Sequence, residues 1–454
     1  MAAKSLHTHG ASDCRHVGPD LRLSCYSFEQ SVCSSAMNET RRTARNFGAV
    51  VIAETLGKVI TFYAVAIHLA GYLTQYQFGV YSQVFVFISF CFLLADFGMD
   101  RIIVREISRT PDLIGQIAGS ALLIKGVLVV TAICLANFAL YVAGDFLNYS
   151  SELQLLIRFA SIGILFSIFS VFGAILHFRR ELQRRNLATV VSRIVAAGAI
   201  LLLIYVDAPL AYFVIAGLLF GVPGAMIGIP EAVLLYLFYR RSSNARLGIS
   251  ARICWTLIRE SAPIALCDLF IITYARIDQI MLQSMLGKEE LVATYNYATR
   301  FAEVLRIIPL AFIASIFPSL CKAHNDASGS FEEAYRRAFK YMNIVCVPVA
   351  VASILLSKGI IALVSDKYDS AAPVLVVLLF AEIFVFLGIV NNRLLVSSGR
   401  QAIDLVFTGC SAAVNVILNL LLIRQFGMIG AAAASLIAYA TGPIIGLFIP
   451  FTRS

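Results

Sequence analysis

The sequence predicts an all-α integral membrane protein of about twelve transmembrane helices in two six-helix lobes, and three observations carry that expectation. Apolar stretches of membrane-spanning length follow one another from about residue 47 to 450. Arginine and lysine gather in every second gap between them. A weak internal repeat recurs at roughly half the chain length, as two lobes of similar build require.

Composition sets the class. Hydrophobic residues make up 59% and charged residues 14% of the chain, with a mean hydropathy of +0.83. Soluble domains carry roughly 25% charged residues, so the chain belongs in a lipid phase. The net charge of +9 is accounted for by basic loops that face anionic headgroups, and no nucleic-acid partner is expected.

A span needs about 20 apolar residues at 1.5 Å each. The stretches that qualify are 47–71, 78–98, 116–143, 152–176, 187–206, 210–239, 257–285, 291–320, 338–364, 372–396, 402–423 and 427–450. The sixth is interrupted by Gly221-Val222-Pro223-Gly224 and Gly228-Ile229-Pro230. Proline removes a backbone donor, so a kink is expected there. Of the gaps, the first basic group is Arg41, Arg42 and Arg45, and the second is Arg101, Arg105 and Arg109. Arg179–Arg185, Arg240–Arg252, Lys322–Lys340 and Arg393–Arg400 continue the series. Basic loops resist translocation, so both termini are expected on the cytoplasmic side.

The repeat pairs Gln77-Phe78-Gly79-Val80-Tyr81-Ser82-Gln83 with Glu290-Leu291-Val292-Ala293-Thr294-Tyr295-Asn296. Each follows a short outer loop and sets a tyrosine early in the next span. This divides the chain into a disordered cytoplasmic tail at 1–45, an N-lobe at 46–239, a cytoplasmic linker at 240–256 and a C-lobe at 257–454. Trp255, the single tryptophan, is expected to anchor at the membrane interface. Met37 opens a short basic lead into the first span and is expected to be the biological start.

Ionisable residues inside spans are costly, usually face the bundle interior or water, and are functional candidates by default. Glu54 and Lys58 share one face of the first span, and Lys125 lies in the third. The seventh carries Asp268, Arg276 and Asp278, with Asp268 and Arg276 on one side. Arg300, Glu303 and Arg306 form a stripe on the eighth, and Glu382 sits midway down the tenth. Asp96, Asp100 and Arg101 fall at a cytoplasmic end where snorkelling accounts for them, and Arg158 and Arg193 lie near interfaces in structural roles. Lys58, Arg276, Arg300 and Arg306 are the candidate cationic lining of a cavity for an anionic cargo, because guanidinium matches phosphate oxygens in pairs. Glu54, Asp268 and Glu303 are the candidates for ion or proton coupling.

No catalytic constellation is present. The chain lacks a glycine-rich phosphate loop ending in Lys-Ser/Thr, so it carries no ATPase engine of that kind. Its ten cysteines show no metal-ligand spacing. No metal, cofactor or enzymatic activity is expected, and no outer loop is long enough for a glycosyltransferase or ligase domain.

One further pattern bears on function. Tyr274-Ala-Arg276-Ile-Asp278-Gln279, then Leu286-Gly287, then Val292-Ala-Thr-Tyr295-Asn-Tyr-Ala-Thr-Arg300 follow in order. Ile308-Pro309-Leu310 and Phe317-Pro318-Ser319-Leu320 come next, with Asn46-Phe47-Gly48 and Phe78-Gly79-Val80-Tyr81-Ser82 upstream. Together these resemble the Wzx-type polysaccharide and O-antigen flippases of the multidrug/oligosaccharidyl-lipid/polysaccharide (MOP) exporter superfamily. The resemblance covers about residues 40–450 and implies a MATE-like pair of lobes around a central cavity with alternating access. It implies export of undecaprenyl-pyrophosphate-linked oligosaccharide across a bacterial inner membrane, driven by an ion gradient rather than ATP. A polysaccharide polymerase and a chain-length regulator are the partners it suggests, beside membrane lipids. The four basic cavity residues are placed by their charge and spacing, not by a family motif. A multidrug or cation antiporter of the same superfamily is the alternative within transport.

Overall fold

The computed structural model describes residues 55–179, 181–221, 227–242, 246–309, 330–364, 366–397 and 401–448. The tail at 1–45, Met37 and Glu54 lie outside the described residues. Everything described is helix, turn or short connection, with no strand among the described residues.

Helices occupy the described part of all twelve predicted stretches. The first, α1 (55–72), includes a π-helical turn at Tyr63–Leu69. Then come α2 (Gln75–Asp96), α3 (Met99–Arg109), α4 (Ile114–Ala143), α5 (Ser151–Phe178) and α6 (Leu182–Tyr205). The kinked sixth span is two helices, α7 (Leu210–Phe220) and α8 (Ile229–Ser242), as the proline-glycine run requires. The second half contains α9 (Ala251–Leu286), α10 (Glu289–Val304), α11 (Ser330–Leu355), α12 (Ser357–Val364) and α13 (Ala371–Ser397). The final run, Gln401–Phe448, breaks at Gly427, where φ is 56° and ψ −129°, into α14 (401–426) and α15 (428–448).

Local sequence sets these starts and stops. Thr74 caps α2 in a capping box, its hydroxyl accepting from the Gln77 amide at 3.2 Å while Gln77 Oε1 accepts from the Thr74 amide at 3.1 Å. The Ser150 hydroxyl accepts from the Leu153 amide at the head of α5. Among the described residues, six helical runs are long and apolar enough to cross a membrane by length and composition. The longer α9 falls short by that measure because it carries Arg259, Glu260, Asp268, Arg276 and Asp278.

Two sequence expectations shift. The second span ends at Asp96, close to the expected residue 98, but after a turn at Phe97 and Gly98 the chain continues as an amphipathic helix that was not expected, α3, which buries Met99, Ile102, Ile103 and Ile107. The connection between the halves is shorter than 240–256, since α8 runs to Ser242 and α9 begins at Ala251. Its described part lies along α4, with the Gly248 amide donating to the Gly115 carbonyl at 3.1 Å and the Ser250 amide to the Ser120 hydroxyl at 3.1 Å. Trp255, in the first turns of α9, is 67% exposed.

The halves meet most extensively along α2 and α10, the two helices that open with the repeated sequence. Gly79 permits the approach, because a Cβ there would overlap the Glu289 carbonyl. Further in, Gln83 Nε2 donates to the Gln279 carbonyl at 2.7 Å.

Candidate functional site

The cavity between the halves holds every described member of the predicted cationic set. It encloses about 670 Å³. Lys58 of α1, Arg276 of α9, Arg300 of α10 and Arg306 just beyond α10 all line it, together with Glu303. Helical spacing brings Arg300, Glu303 and Arg306 to one face of α10 and its continuation, and the α2–α10 packing turns that face inward.

The charges inside differ in how they are compensated. Arg306 is committed to Glu382 of α13: its Nε and Nη2 donate to both carboxylate oxygens at 2.6–3.0 Å, and Glu382 is 2% exposed. Its guanidinium carbon also lies 5.7 Å from the Tyr439 ring centroid. Arg276 pairs with Glu303 at 3.0 Å, and Arg306 approaches the same carboxylate at 3.7 Å. Arg300 has no carboxylate in ion-pair contact among the described residues. Its Nε donates to Asn296 Oδ1 at 2.8 Å and its guanidinium carbon stands 6.0 Å from the Phe78 ring centroid. The fork of Arg300 thus reaches the cavity without a carboxylate held directly on it among the described residues. Ser82 of α2 adds a buried hydroxyl on the same wall, without a hydrogen-bond partner.

Several sequence readings are corrected here. Arg193 of α6 is not an interfacial residue but a cavity wall residue. Its side chain crosses α1 at Gly57, where a Cβ would come within 2.6 Å of Arg193 Cδ. Asp96 and Asp100 do not snorkel: both accept from Lys125 of α4, whose side chain is fully buried, at 2.6 and 2.7 Å, and Asp96 also lines the cavity. Asp268, on the same helix as Arg276, pairs with Arg101 of α3 at 3.0 Å. Glu303 pairs with Arg306 three residues on, as spacing on one helix allows, and more closely with Arg276 of α9. Sequence spacing reports only neighbours on one helix, whereas Lys125, Arg101 and Arg276 reach their carboxylates from other helices.

Both ends of the cavity are bridged between the halves. On the side of the predicted outer loops, Lys367 Nζ donates to the Gly71 carbonyl at 2.6 Å and the Tyr368 hydroxyl donates to the Ala70 carbonyl at 3.3 Å. Asn148 Nδ2 donates to the Ser284 carbonyl at 2.7 Å, and Gln283 Nε2 returns to the Asn148 carbonyl at 3.0 Å. The opposite end is held by exposed ion pairs, Arg101–Asp268 and Arg105–Glu260, each at 3.0 Å. Among the described residues no group of three His, Cys, Asp or Glu side chains is placed to hold a metal.

Known proteins place this architecture. The sequence profile of the family described as "Polysaccharide biosynthesis protein" matches residues 43–324, and that of MatE matches 263–421. The chain is 25% identical over 404 residues to "Uncharacterized membrane protein MJ1068" of Methanocaldococcus jannaschii, covering 83% of this chain and 78% of that protein. It is 26% identical to "Probable flippase AglR" of Haloferax volcanii over 38% of this chain and 37% of that one. Among solved structures it is similar to "Lipid II flippase MurJ, inward closed conformation", with a TM-score of 0.72 at 16% identity over 88% of this chain and 86% of that one. That likeness gives an all-α, multi-helix fold. With its profile matched over more than half of its length, the chain belongs to the polysaccharide biosynthesis protein family.

Proposed function

We propose that this protein is a flippase that moves a lipid-linked oligosaccharide across the membrane by alternating access, holding the anionic pyrophosphate of its cargo on the cationic cavity. Arg300 carries the reading, as a cavity guanidinium with no carboxylate in ion-pair contact among the described residues. Lys58, Arg276 and Arg306 complete the basic wall, and Arg306 contributes less because Glu382 already holds it. Two charge-assisted hydrogen bonds from one guanidinium fork fit a pair of phosphate oxygens. The glycan would occupy the rest of the chamber and meet the Ser82 hydroxyl, while the lipid tail trails between lobes.

The finer reading is an undecaprenyl-pyrophosphate-linked repeat unit such as an O-antigen, carried outward across a bacterial inner membrane with both termini cytoplasmic. The lobes are taken as 46–239 and 257–454, and a polymerase and chain-length regulator as the downstream partners. A membrane potential negative inside works on the anionic cargo in the export direction, by about 2.3 kcal/mol per charge per 100 mV. Ion coupling falls to carboxylates of the first, seventh and eighth spans (Glu54, Asp268 and Glu303), of which Glu303 lines the cavity. The names of the Haloferax relatives, "Probable flippase AglR" and "Probable low-salt glycan biosynthesis flippase Agl15", support a glycan-lipid cargo.

A multidrug or cation antiporter is the second reading, favoured by the MatE match over 263–421 and by Asp96 and Glu303 in the cavity. Deleting the gene separates the two. The flippase reading expects lipid-linked glycan to accumulate on the cytoplasmic leaflet and surface glycan to vanish, restored by the native protein but not by Arg300→Ala. Normal surface glycan with new sensitivity to cationic drugs would establish the antiporter instead.

A further inference from the structure

The break in the second span places two carboxylates on one lysine. Asp96 ends α2, Phe97 and Gly98 take φ values of 50° and 65°, and Asp100 lies in the first turn of α3. Lys125 Nζ donates to Asp96 Oδ1 at 2.6 Å, to Asp100 Oδ1 at 2.7 Å and to the Ser170 hydroxyl, which in turn donates to Asp100 at 2.8 Å. Fully ionised, this group carries one negative charge in excess, in a region where uncompensated charge is costly. The two carboxylates are not equivalent. Asp100 accepts from both Lys125 and Ser170, whereas Asp96 accepts from Lys125 alone and also lines the cavity.

The surroundings sharpen the difference. Asp96 feels the carboxylate of Asp268 from α9, while Asp100 feels Arg185 from α6. Across the cavity stand Lys58 of α1, Arg193 of α6, Arg276 of α9, and Arg300 with Glu303 of α10. An anion drawn to those cations would stand opposite an ionised Asp96 and be repelled by it. One proton removes that repulsion without disturbing the Lys125–Asp100 pair.

We infer that Asp96 is a proton-binding site linked to anion occupancy of the cavity, so that an arriving pyrophosphate and a proton are bound together. The inference rests on reading the cavity as an anion site. The proton comes from cavity water, forms the Asp96 O–H bond and is released when the anion leaves. Linkage is reciprocal, so the anion must bind more tightly as the pH falls. One linked proton gives at most about a tenfold change in affinity per pH unit.

The test is titration calorimetry of the purified full chain with a short-chain alkyl sugar pyrophosphate diester, whose charges do not titrate between about pH 5 and 8. Runs in two buffers of different ionisation enthalpy count protons taken up per anion. The native protein is expected to take up a fraction of a proton approaching one, and Asp96→Asn to bind the diester with no uptake and a flat pH profile. Asp100→Asn controls for the neighbouring carboxylate and should retain uptake. Binding without uptake in the native protein, or undiminished uptake in Asp96→Asn, overturns the assignment. Absence of binding in the native protein overturns the anion-cavity reading and this inference with it. Infrared difference spectra of the native protein keep the test alive if Asp96→Asn does not fold. A protonated carboxyl band should rise on diester addition and shift in Asp96→Glu, and a band that fails to rise refutes the inference.

Discussion

Arg300 and Arg306 lie two turns apart on one face and line the same cavity, yet their removal should have opposite consequences. Arg306 donates three hydrogen bonds to Glu382, which is 2% exposed. Arg306→Ala therefore leaves a carboxylate buried without its cation, a loss of about 3–5 kcal/mol of stability. Among the described residues Arg300 donates one hydrogen bond, to Asn296, and has no carboxylate in ion-pair contact. Arg300→Ala should cost the fold only about 1 kcal/mol. In an anion complex it should remove one or two charge-assisted hydrogen bonds at about 1.5–3 kcal/mol each, which weakens binding by about 10-fold to several hundredfold or more. Thermal unfolding in detergent and calorimetry with the alkyl sugar pyrophosphate diester measure the two quantities on the same samples. Adding Glu382→Gln to Arg306→Ala should restore part of the lost stability, because the buried charge is then gone. If Arg300→Ala keeps full affinity while Arg306→Ala loses affinity at unchanged stability, the division of roles between these arginines is refuted.

Other outcomes follow from the same geometry. Lys125→Met should destabilise the protein by about 3–5 kcal/mol by stranding Asp96 and Asp100, and a triple variant with Asp96→Asn and Asp100→Asn should recover much of it in detergent melting curves. Gly98→Ala should cost about 1–3 kcal/mol, because φ there is 65° and the new Cβ would come within 2.7 Å of Ile264 Cγ2. Asp268→Asn should change stability by less than about 1 kcal/mol, its partner Arg101 being 66% exposed, and should leave diester affinity unaltered. A large affinity change there would bring Asp268 back to the cavity.

The basic residues of α9 and α10 were legible because their cost in lipid marks them whatever they touch. Arg276, Arg300 and Arg306 lie where burial in an apolar run demanded a polar interior, and they meet in one chamber. Arg193 and Asp96 were not legible, because a charged residue within two turns of an expected span end has snorkelling as a sufficient explanation. Their position depends on α1 opening at Gly57 and on the turn at Phe97–Gly98, which put them at the wall. The pairing of Glu382 with Arg306, 76 residues apart, has no local signature at all.

The sequence alone determined what lipid enforces residue by residue. An apolar run must be a helix to satisfy its backbone, and a Pro-Gly run must break one. Tertiary structure alone decided which charges neutralise one another and which remain available. That outcome depends on contacts between helices distant in the chain, where Glu382 of α13 turns Arg306 into scaffold and leaves Arg300 at the cavity.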